Sequence, residues 1–348
     1  MNICKLGDIA KFTTGKLNSN AAQDNGKYPF FTCAPEALKI DDYAFDTEAI
    51  ILAGNNADGN FHIQHFKGKF NAYQRTYVIE SSDENKVYTK YLYYALKTCL
   101  LHFKQISQGS ATKFLTAKIL NSFELPIPEI EIQKKIAGTL GNLDKKIKTN
   151  EAINENLADQ AQAIYQQYFL IEADPNWPLG HLSDLIDVKY GKDHKKLADG
   201  VYPVYGSGGI MRYVERPLYE KESVLIPRKG TLNNVMYVNQ PFWSVDTMFY
   251  TEMKQANVAK FVYHFVKSKD LASMNAGSAV PSMTTAILNA LELRIPSAEA
   301  LLQFENSVAP MYEMMKKNED QSRKLTELRD ALLPKLMSGE IDVSDLDL

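Results

Sequence analysis

The sequence predicts an α+β fold in which two β-rich α/β domains, related by internal duplication, are separated by two long antiparallel helices that form a coiled coil. Three observations support this fold class. A 20-residue segment occurs twice, short strand-like runs fill two stretches of similar length, and a heptad pattern fills the stretch that follows each of them. The length of 348 residues suits about two domains.

The duplication is clearest near the C-terminal end of each domain. Residues 109–128 read GSATKFLTAKILNSFELPIP and residues 277–296 read GSAVPSMTTAILNALELRIP, which gives 11 identities in 20 positions at an offset of 168. A weaker match pairs LGDI at 6–9 with LSDL at 182–185. The offset drifts from 176 to 168 along the copies, as small insertions in surface loops would cause. The chain therefore consists of two copies of one unit.

Each copy begins with a β-rich domain, predicted at residues 1–129 and 171–297. Short runs such as AIILAG and SVLIPRKG are rich in strand-forming residues, and Gly, Asn and Pro separate them. Each domain is also expected to contain two helices. In the first copy they are Thr89–His102 and a short helix after Thr116, and their counterparts in the second copy are Val258–Lys269 and the segment after Thr284.

Each copy ends in a long spacer helix, predicted at residues 130–170 and 298–348, the second with a C-terminal tail. Apolar residues recur there at alternating spacings of four and three, the pattern of the a and d positions of coiled coils. Because 168 is a whole number of heptads, both helices share one register. The predicted seam consists of Ile136, Leu140, Leu143, Ile147, Asn150, Leu157 and Ile164 in the first helix and Met311, Met315, Asn318, Leu325 and Leu332 in the second.

Two polar residues, Asn150 and Asn318, lie near the middle of the seam at equivalent positions. A buried Asn lowers the stability of a coiled coil but specifies its register and its partner. A helix end or a hydrated kink at this point is the alternative interpretation. Pro310 lies within the second heptad pattern and is expected to kink or delay that helix.

The length of the spacer suggests a function. A helix of 38 residues from Ile132 to Phe169 would be about 57 Å long at about 1.5 Å per residue. That length corresponds to about 17 base pairs at about 3.4 Å per base pair. Two similar domains on a rigid spacer suggest a protein that measures the gap in a two-part DNA site.

The charge is nearly balanced, with 39 Lys and Arg against 42 Asp and Glu. Each predicted domain carries 14 basic and 13 acidic side chains, whereas residues 298–348 carry 6 and 11. This balance argues against non-specific coating of nucleic acid, and we expect a DNA-binding partner to supply part of the affinity. Three widely spaced cysteines, with no signal peptide and no membrane-spanning run, predict a cytoplasmic protein.

Catalytic and metal-binding patterns are missing from the sequence. It has no phosphate-binding loop of the type G-x-x-x-x-G-K-[ST], and no further ligands accompany His62 and His65. We therefore expect no catalytic residue, no metal and no cofactor on this chain. Two alternatives stay open. One is an adaptor whose duplicated domains bind proteins, and the other is a nuclease with a metal site at Asp246 and Glu252.

Loops in both copies combine Lys and Arg with Asn, Ser and Gly, which contact phosphates and base edges in protein–DNA complexes. Because Arg can pair with guanine and Asn with adenine, Asn55, Arg75 and Arg228 are the best candidates for reading bases. An ordinary solvated side chain explains any single one of these residues about as well. The predicted DNA-binding residues are Lys16, Asn55, Lys69, Arg75 and Lys113 in the first copy and Lys192, Ser207, Arg212, Arg228, Lys229 and Ser278 in the second.

Five motifs are distinctive when they are taken together. They are LGDI at 6–9 followed by Gly15-Lys16, YPVYGSGGI at 202–210, RKG at 228–230, Ile127-Pro128 followed by QKKI at 133–136, and RDALLPKLMSGEI at 329–341. These motifs resemble those of the specificity (S) subunits of type I DNA restriction–modification systems. The resemblance covers nearly the whole chain, in both copies. One departure is Leu301, which stands where the first copy has Gln133.

This resemblance implies two target recognition domains, each of which reads one half of an interrupted sequence in double-stranded DNA. It also implies that the long helices set the gap between the halves and dock two methyltransferase (M) subunits. S-adenosylmethionine and the methylation chemistry would then belong to the M subunits, and restriction (R) subunits that translocate DNA would join them. An S subunit has no active site of its own, which agrees with the missing catalytic patterns.

Overall fold

The computed structural model describes residues 2–274 and 282–343 of the chain. The chain divides into two compact units: unit 1 comprises Met1–Asn150 with Asp320–Leu348, and unit 2 comprises Glu151–Glu319. The predicted domain 1–129 falls within unit 1, and the predicted domain 171–297 falls within unit 2. Each long helix contributes one part to each unit.

A six-stranded sheet forms the centre of unit 1. The strands of this unit are β1 (Asn2–Lys5), β2 (Ala10–Thr14), β3 (Tyr28–Phe31), β4 (Leu38–Ile40), β5 (Phe45–Ala53), β6 (Asn55–Asn56), β7 (Ile63–Ala72), β8 (Thr76–Ser81), β9 (Lys113–Phe114) and β10 (Glu124–Ile127). The strand order of the large sheet is β2-β8-β5-β7-β3-β4, and two small ribbons, β1-β10 and β6-β9, accompany it. β5 pairs antiparallel with both β7 and β8, whereas β3 pairs parallel with β7.

Unit 2 contains the second set of strands. They are β11 (Leu179–His181), β12 (Ile186–Tyr190), β13 (Asp199–Gly206), β14 (Gly209–Val214), β15 (Ser223–Pro227), β16 (Met236–Val238), β17 (Trp243–Ser244), β18 (Met248–Met253) and β19 (Glu292–Arg294). They form a four-stranded sheet of order β12-β18-β15-β16, a three-stranded sheet of order β14-β13-β17, and the ribbon β11-β19.

The helices complete both units. They are α1 (Leu6–Ile9), α2 (Thr89–Thr98), α3 (Leu100–Ile106), α4 (Ala117–Ser122), α5 (Ile130–Gln166), α6 (Leu182–Leu185), α7 (Ala259–Lys267), α8 (Thr285–Asn289) and α9 (Ala298–Ser338). A 3₁₀ turn covers Ser19–Ala21, and a π-helical turn at Gln167–Ile171 follows α5. Thr116 and Thr284 cap α4 and α8 in the same way, since each hydroxyl accepts a hydrogen bond from the backbone three residues later.

The two units repeat one topology. The ribbon β1-β10 corresponds to β11-β19, the strands β2-β8-β5-β7 correspond to β12-β18-β15-β16, and the hairpin β3-β4 corresponds to β13-β14. In the same way, α2 packs on β5 and β7, and α7 packs on β15 and β16. The predicted fold class, with two mixed α/β domains related by duplication, is confirmed.

The central strand of unit 1, β5, is buried on both faces. Ile50 and Leu52 pack into the cluster that contains the side chains of α2, whereas Ala49 and Ile51 pack with Phe70 in a second cluster. Because successive residues of a strand point to opposite faces, a strand covered on both sides needs apolar residues at every position. This requirement explains the uninterrupted run AIILA, and β15 in unit 2 repeats it with VLI.

Within each unit, a part of α5 packs antiparallel against a part of α9. In unit 1, Arg329 donates to Asp144 at 2.8 Å and Asn150 donates to Ser322 at 3.2 Å, so the residue numbers run in opposite directions. In unit 2, the Asn154 amide donates to the Met315 carbonyl at 3.0 Å. The predicted antiparallel pairing of the long helices is confirmed.

Every predicted seam residue lies at a buried or half-buried position. The buried residues are Ile136, Leu140, Ile147, Asn150 and Asn318, and the half-buried residues are Leu143, Leu157, Ile164, Met311, Met315, Leu325 and Leu332. Asn150 lies inside α5, so a helix end at this position is ruled out. Asn318 donates to Asn154 at 2.8 Å, and this pair occupies the positions that Asn150 and Ser322 occupy in the other copy.

The delay that we expected for the second helix does not occur. α9 begins at Ala298 and continues through Pro310 to Ser338, so the proline neither delays nor interrupts the helix. A proline in a helix interior removes one backbone hydrogen bond and costs about 3 kcal/mol. Phe304, Val308 and Tyr312 are buried around Pro310 in the core of unit 2, and this packing stabilises the helical backbone there.

Candidate nucleic-acid interface

Four backbone segments of unit 1 meet beside the end of β5. The Gly54 amide donates to the Arg75 carbonyl at 2.8 Å, the Leu115 amide donates to the Gly54 carbonyl at 2.9 Å, and the Gln74 amide donates to the Leu17 carbonyl at 2.9 Å. These bonds hold loops from distant parts of the sequence together. We call the surface that they form edge 1; it consists of residues 15–18, 54–56, 73–75 and 113–116.

Two of these three bonds recur in unit 2. The Arg228 amide donates to the Thr247 carbonyl at 2.9 Å, and the Met283 amide donates to the Arg228 carbonyl at 2.9 Å. Arg228 therefore occupies the position of Gly54, and Lys229 occupies that of Asn55. We call this surface edge 2; it consists of residues 191–192, 228–230, 245–247 and 282–284. The two edges have one backbone framework and different side chains.

A glycine brings a lysine to each edge. A Cβ atom on Gly15 would lie 1.7 Å from the Ala72 carbonyl oxygen, and one on Gly191 would lie 2.0 Å from the Val245 carbonyl oxygen. No side chain fits at either position, so only glycine permits this close approach of the two backbones. The predicted residues Lys16 and Lys192 follow these glycines, and both are exposed.

Arg75 lies exposed on edge 1 above an aromatic ring. Its guanidinium carbon is 5.5 Å from the centre of the Phe114 ring, a distance at which cation and ring attract each other. Beside this pair is a groove of about 540 Å³ whose polar lining includes Gln74 and Gln108. The remaining lining residues are Thr14, Gly54, Tyr77, Leu115, Thr116 and Ala117.

Asn55 and Lys113 also lie on edge 1, on the ribbon β6-β9. Asn55 pairs with Phe114 in this ribbon, and Asn56 pairs with Lys113. The Asn55 carboxamide oxygen accepts a hydrogen bond from the Cys33 thiol at 2.9 Å. This bond orients the amide of the residue that we predict to read a base.

Arg228 on edge 2 is held in a similar way to Arg75. Its guanidinium lies 5.4 Å from the centre of the Tyr190 ring and donates to the Asp246 carbonyl at 3.2 Å. Lys229 is exposed beside it. Each edge therefore presents an arginine that is stacked on an aromatic ring, although Phe114 and Tyr190 come from non-equivalent positions of the two copies.

The remaining predicted residues of the second copy that the structure describes lie outside edge 2. Ser207 lies next to edge 2, where its carbonyl accepts from Asn234 at 2.8 Å. Arg212 donates to Asp199 at 2.7 Å and to the Leu197 carbonyl at 3.0 Å, so its charge is already paired. Ser278 lies outside the described residues.

Lys69 is not part of edge 1. It pairs with Asp46 near the start of β5, whereas edge 1 lies at the end of that strand. Its ammonium nitrogen is 4.6 Å from the centre of the Tyr43 ring, and a hydrogen bond to the Tyr43 hydroxyl raises the pKa of Lys69. The structure therefore groups Lys16, Asn55, Arg75 and Lys113 on one edge and separates Lys69 from them.

Among the residues at or beside the two edges, Phe114, Gln108 and Tyr190 are not in the predicted set. Phe114 and Tyr190 are aromatic residues in strand-like runs, and such residues are more often part of a core. Only the tertiary contact with an arginine distant in sequence shows their position. The sequence indicates the position of Phe114 only through its neighbour, because Phe114 directly follows the predicted residue Lys113 in the segment that both copies share.

The structure gives no support to a metal-dependent nuclease. Asp246 is exposed, while Glu252 lies 3.5 Å from the Lys189 ammonium. His65, one of the two spaced histidines, contacts Glu48 at 3.0 Å. Among residues 2–274 and 282–343, no group of three or more His, Cys, Asp or Glu side chains could hold a metal ion. Within the same residues, no helix has the length and apolar composition needed to span a membrane.

Comparisons with known proteins identify similar chains. A family model described as the type I restriction modification DNA specificity domain matches residues 1–159 and 175–307. The type I restriction enzyme EcoDI specificity subunit of Escherichia coli is 38% identical over 153 residues, which cover 44% of this chain and only 33% of that protein. The MjaIX specificity subunit of Methanocaldococcus jannaschii is 26% identical over 306 residues, which cover 75% of this chain and 71% of that protein.

A solved structure has the same fold. It is the S subunit of a type I restriction–modification system from M. genitalium, with a TM-score of 0.67 at 19% sequence identity. The match covers 96% of this chain and 95% of that one.

Proposed function

We propose a DNA-reading function for this chain because it belongs to the type I restriction modification DNA specificity family, whose model matches both of its copies. In this function the chain is a non-catalytic subunit. Unit 1 reads one half of a two-part DNA site and unit 2 reads the other half.

The observation that carries this proposal is the pair of equivalent edges. Both edges share two equivalent backbone hydrogen bonds, yet edge 1 presents Asn55 and Arg75, whereas edge 2 presents Arg228 and Lys229. Asn and Arg are suited to different bases, and Lys can contact phosphates. A common framework with different side chains is what two readers of unlike half-sites require.

The partners and the chemistry belong to the same proposal. The paired helices set the gap between the half-sites and dock two methyltransferase subunits, which carry S-adenosylmethionine and the adenine methylation activity. Restriction subunits join this assembly when DNA is cleaved. The complex acts on double-stranded DNA in the cytoplasm.

The test uses the chain assembled with its methyltransferase partner. Selection from random duplexes should return one site with two specified halves and an unspecified gap. The affinity for this site should fall steeply with salt, because phosphate contacts release counterions. An assembly that binds no specific duplex, or binds with an affinity independent of salt, would favour the adaptor alternative.

A further inference from the structure

The hairpin formed by β13 and β14 ends beside edge 2. The Asn234 amide holds the carbonyl of Ser207 in the hairpin turn at 2.8 Å, and a Cβ atom on Gly230 would lie 2.6 Å from the Ser207 hydroxyl. The turn therefore contacts the loop that follows Arg228 and Lys229. Side chains added at Gly208 or Gly209 would meet no atom within 4 Å, so the tip itself is uncovered.

Two large apolar side chains are exposed at this tip. Ile210 is 49% exposed and Met211 is 61% exposed. Ile210 pairs with Tyr205, and Met211 is the extra residue of a β-bulge between this pair and the pair of Val204 with Arg212. The end of the ribbon therefore presents two adjacent apolar side chains to solvent.

We propose, on the basis of the DNA-reading function above, that this tip enters the major groove of the half-site that unit 2 reads. There Ile210 and Met211 contact thymine C5-methyl groups. The major groove has the width to admit a two-stranded β-ribbon, and the thymine methyl is the apolar group that base edges present in it. The charges of Lys192, Arg228 and Lys229 lie on the adjoining edge 2 and complement the phosphates on either side of the groove.

The experiment removes methyl groups from the DNA and apolar groups from the protein. Each thymine of the unit 2 half-site is replaced in turn by uracil, and the affinity of the chain with its methyltransferase partner is measured. For the unchanged chain, one or two of these replacements should weaken binding by roughly fourfold each, as expected for one buried methyl group. The double variant Ile210→Ser, Met211→Ser should bind thymine and uracil duplexes equally.

Two controls make the result specific. Val201, which is 76% exposed, lies on the same hairpin away from its tip, and Val201→Ser should keep the full dependence on the methyl groups. Uracil replacements in the unit 1 half-site should have the same effect on the double variant as on the unchanged chain.

Three outcomes would overturn the inference while the two-part site is still recognised. They are a unit 2 half-site without any A·T pair, equal binding of thymine and uracil duplexes by the unchanged chain, and a double variant that still discriminates between them. Failure of the double variant to assemble with the methyltransferase would also overturn it, since the tip would then contact protein. Loss of all specific binding by the unchanged chain would instead contradict the proposed function.

Discussion

At the residue scale, stacking on an aromatic ring restricts the two arginines that we propose to read bases. Arg75 lies over Phe114 and Arg228 over Tyr190. A guanidinium that is already oriented loses less side-chain freedom when it binds a guanine edge. Each arginine should therefore contribute both affinity and discrimination at one base pair of its own half-site.

The prediction for Arg75 is a loss of specificity confined to one half-site. Arg75→Ala should reduce discrimination at one base pair of the unit 1 half-site by roughly 10- to 100-fold, as expected for loss of a bidentate contact. Selection from random duplexes would measure this change, and the unit 2 half-site should stay the same. Lys69→Ala is the matched control, since Lys69 lies away from edge 1 and should affect neither half-site. Changes in both half-sites would contradict independent reading by the two units.

Sequence reasoning located the candidate residues only in part, and the reason is physical. Lys16 and Lys192 could be predicted because each follows a glycine that both copies share. The positions of Lys69 and Arg212 could not, because each depends on a contact with a residue elsewhere in the chain, Tyr43 for one and Asp199 for the other. A residue type suggests what a side chain can bind, but not whether the fold has already given it a partner.

At the scale of elements, α2 and α7 dock on the long helices through equivalent residues of different chemistry. In unit 1, the Tyr94 hydroxyl donates to Asp144 at 2.5 Å. In unit 2, the equivalent His264 contacts Gln162 of α5 at 2.8 Å and the Tyr312 hydroxyl of α9 at 2.9 Å. The duplicated chain has therefore kept the position of this contact while its residues diverged.

The docking of α7 makes the stability of unit 2 depend on pH. Burial in the core lowers the pKa of His264 from 6.5 to about 4, because the protonated ring would lose its hydration there. The unfolded chain takes up this proton near pH 6.5 and the folded chain only near pH 4. The free energy of unfolding should therefore fall as the pH decreases between these values, by on the order of 3 kcal/mol in total.

Urea unfolding between pH 4 and pH 7 would measure this effect. Both tryptophans, Trp177 and Trp243, lie in unit 2, so their fluorescence reports the unfolding of that unit. His264→Gln should flatten the dependence on pH, whereas His102→Gln, at an exposed position of unit 1, should leave it unchanged. An unaltered slope in His264→Gln would show that another group is responsible.

Elements were predicted more reliably than contacts because their patterns are local. The start of α5 at Ile130 follows from the heptad pattern and from the Pro128 that precedes it. The delay expected from Pro310 does not occur, since local propensity takes no account of the core that packs around α9. Hydrophobic patterns over four to seven residues identify helices and strands. Where a residue such as Pro310 disfavours the local structure, tertiary packing determines whether the element still forms.

At the scale of the whole molecule, the antiparallel pairing of α5 and α9 means that the proposed spacer can be lengthened only by matching insertions in both helices. Inserting seven residues before Ala152 alone would separate Asn150 from Asn154 on α5, while their partners Gln321 and Asn318 on α9 would keep their spacing, so one of the two pairs would be lost. A matching insertion before Gln321 would restore both pairs, because it separates Gln321 from Asn318 by the same length. A heptad keeps the apolar residues on the same side of each helix.

The double insertion should therefore lengthen the gap in the DNA site and leave both half-sites unchanged. Seven residues add about 10 Å of helix, which corresponds to about 3 base pairs. Selection from duplexes of varied gap length would measure the change. The single insertion is the control, and it should lower the stability of the chain. An unchanged gap with the double insertion would show that the helices do not set the spacing.

The division of the chain into units also determines the order in which they can fold during synthesis. Unit 2 is one continuous stretch, Glu151–Glu319, whereas unit 1 combines residues on both sides of that stretch. Ile136 and Leu140 share their core with Leu333 and Leu336. At about 5–20 residues per second, the ribosome needs roughly 10–40 s to proceed from Asn150 to Ser338. Throughout that time the apolar face of α5 in unit 1 stays exposed, because the part of α9 that packs on it has not been synthesised. Unit 1 therefore begins to be synthesised before unit 2 but completes its core after it.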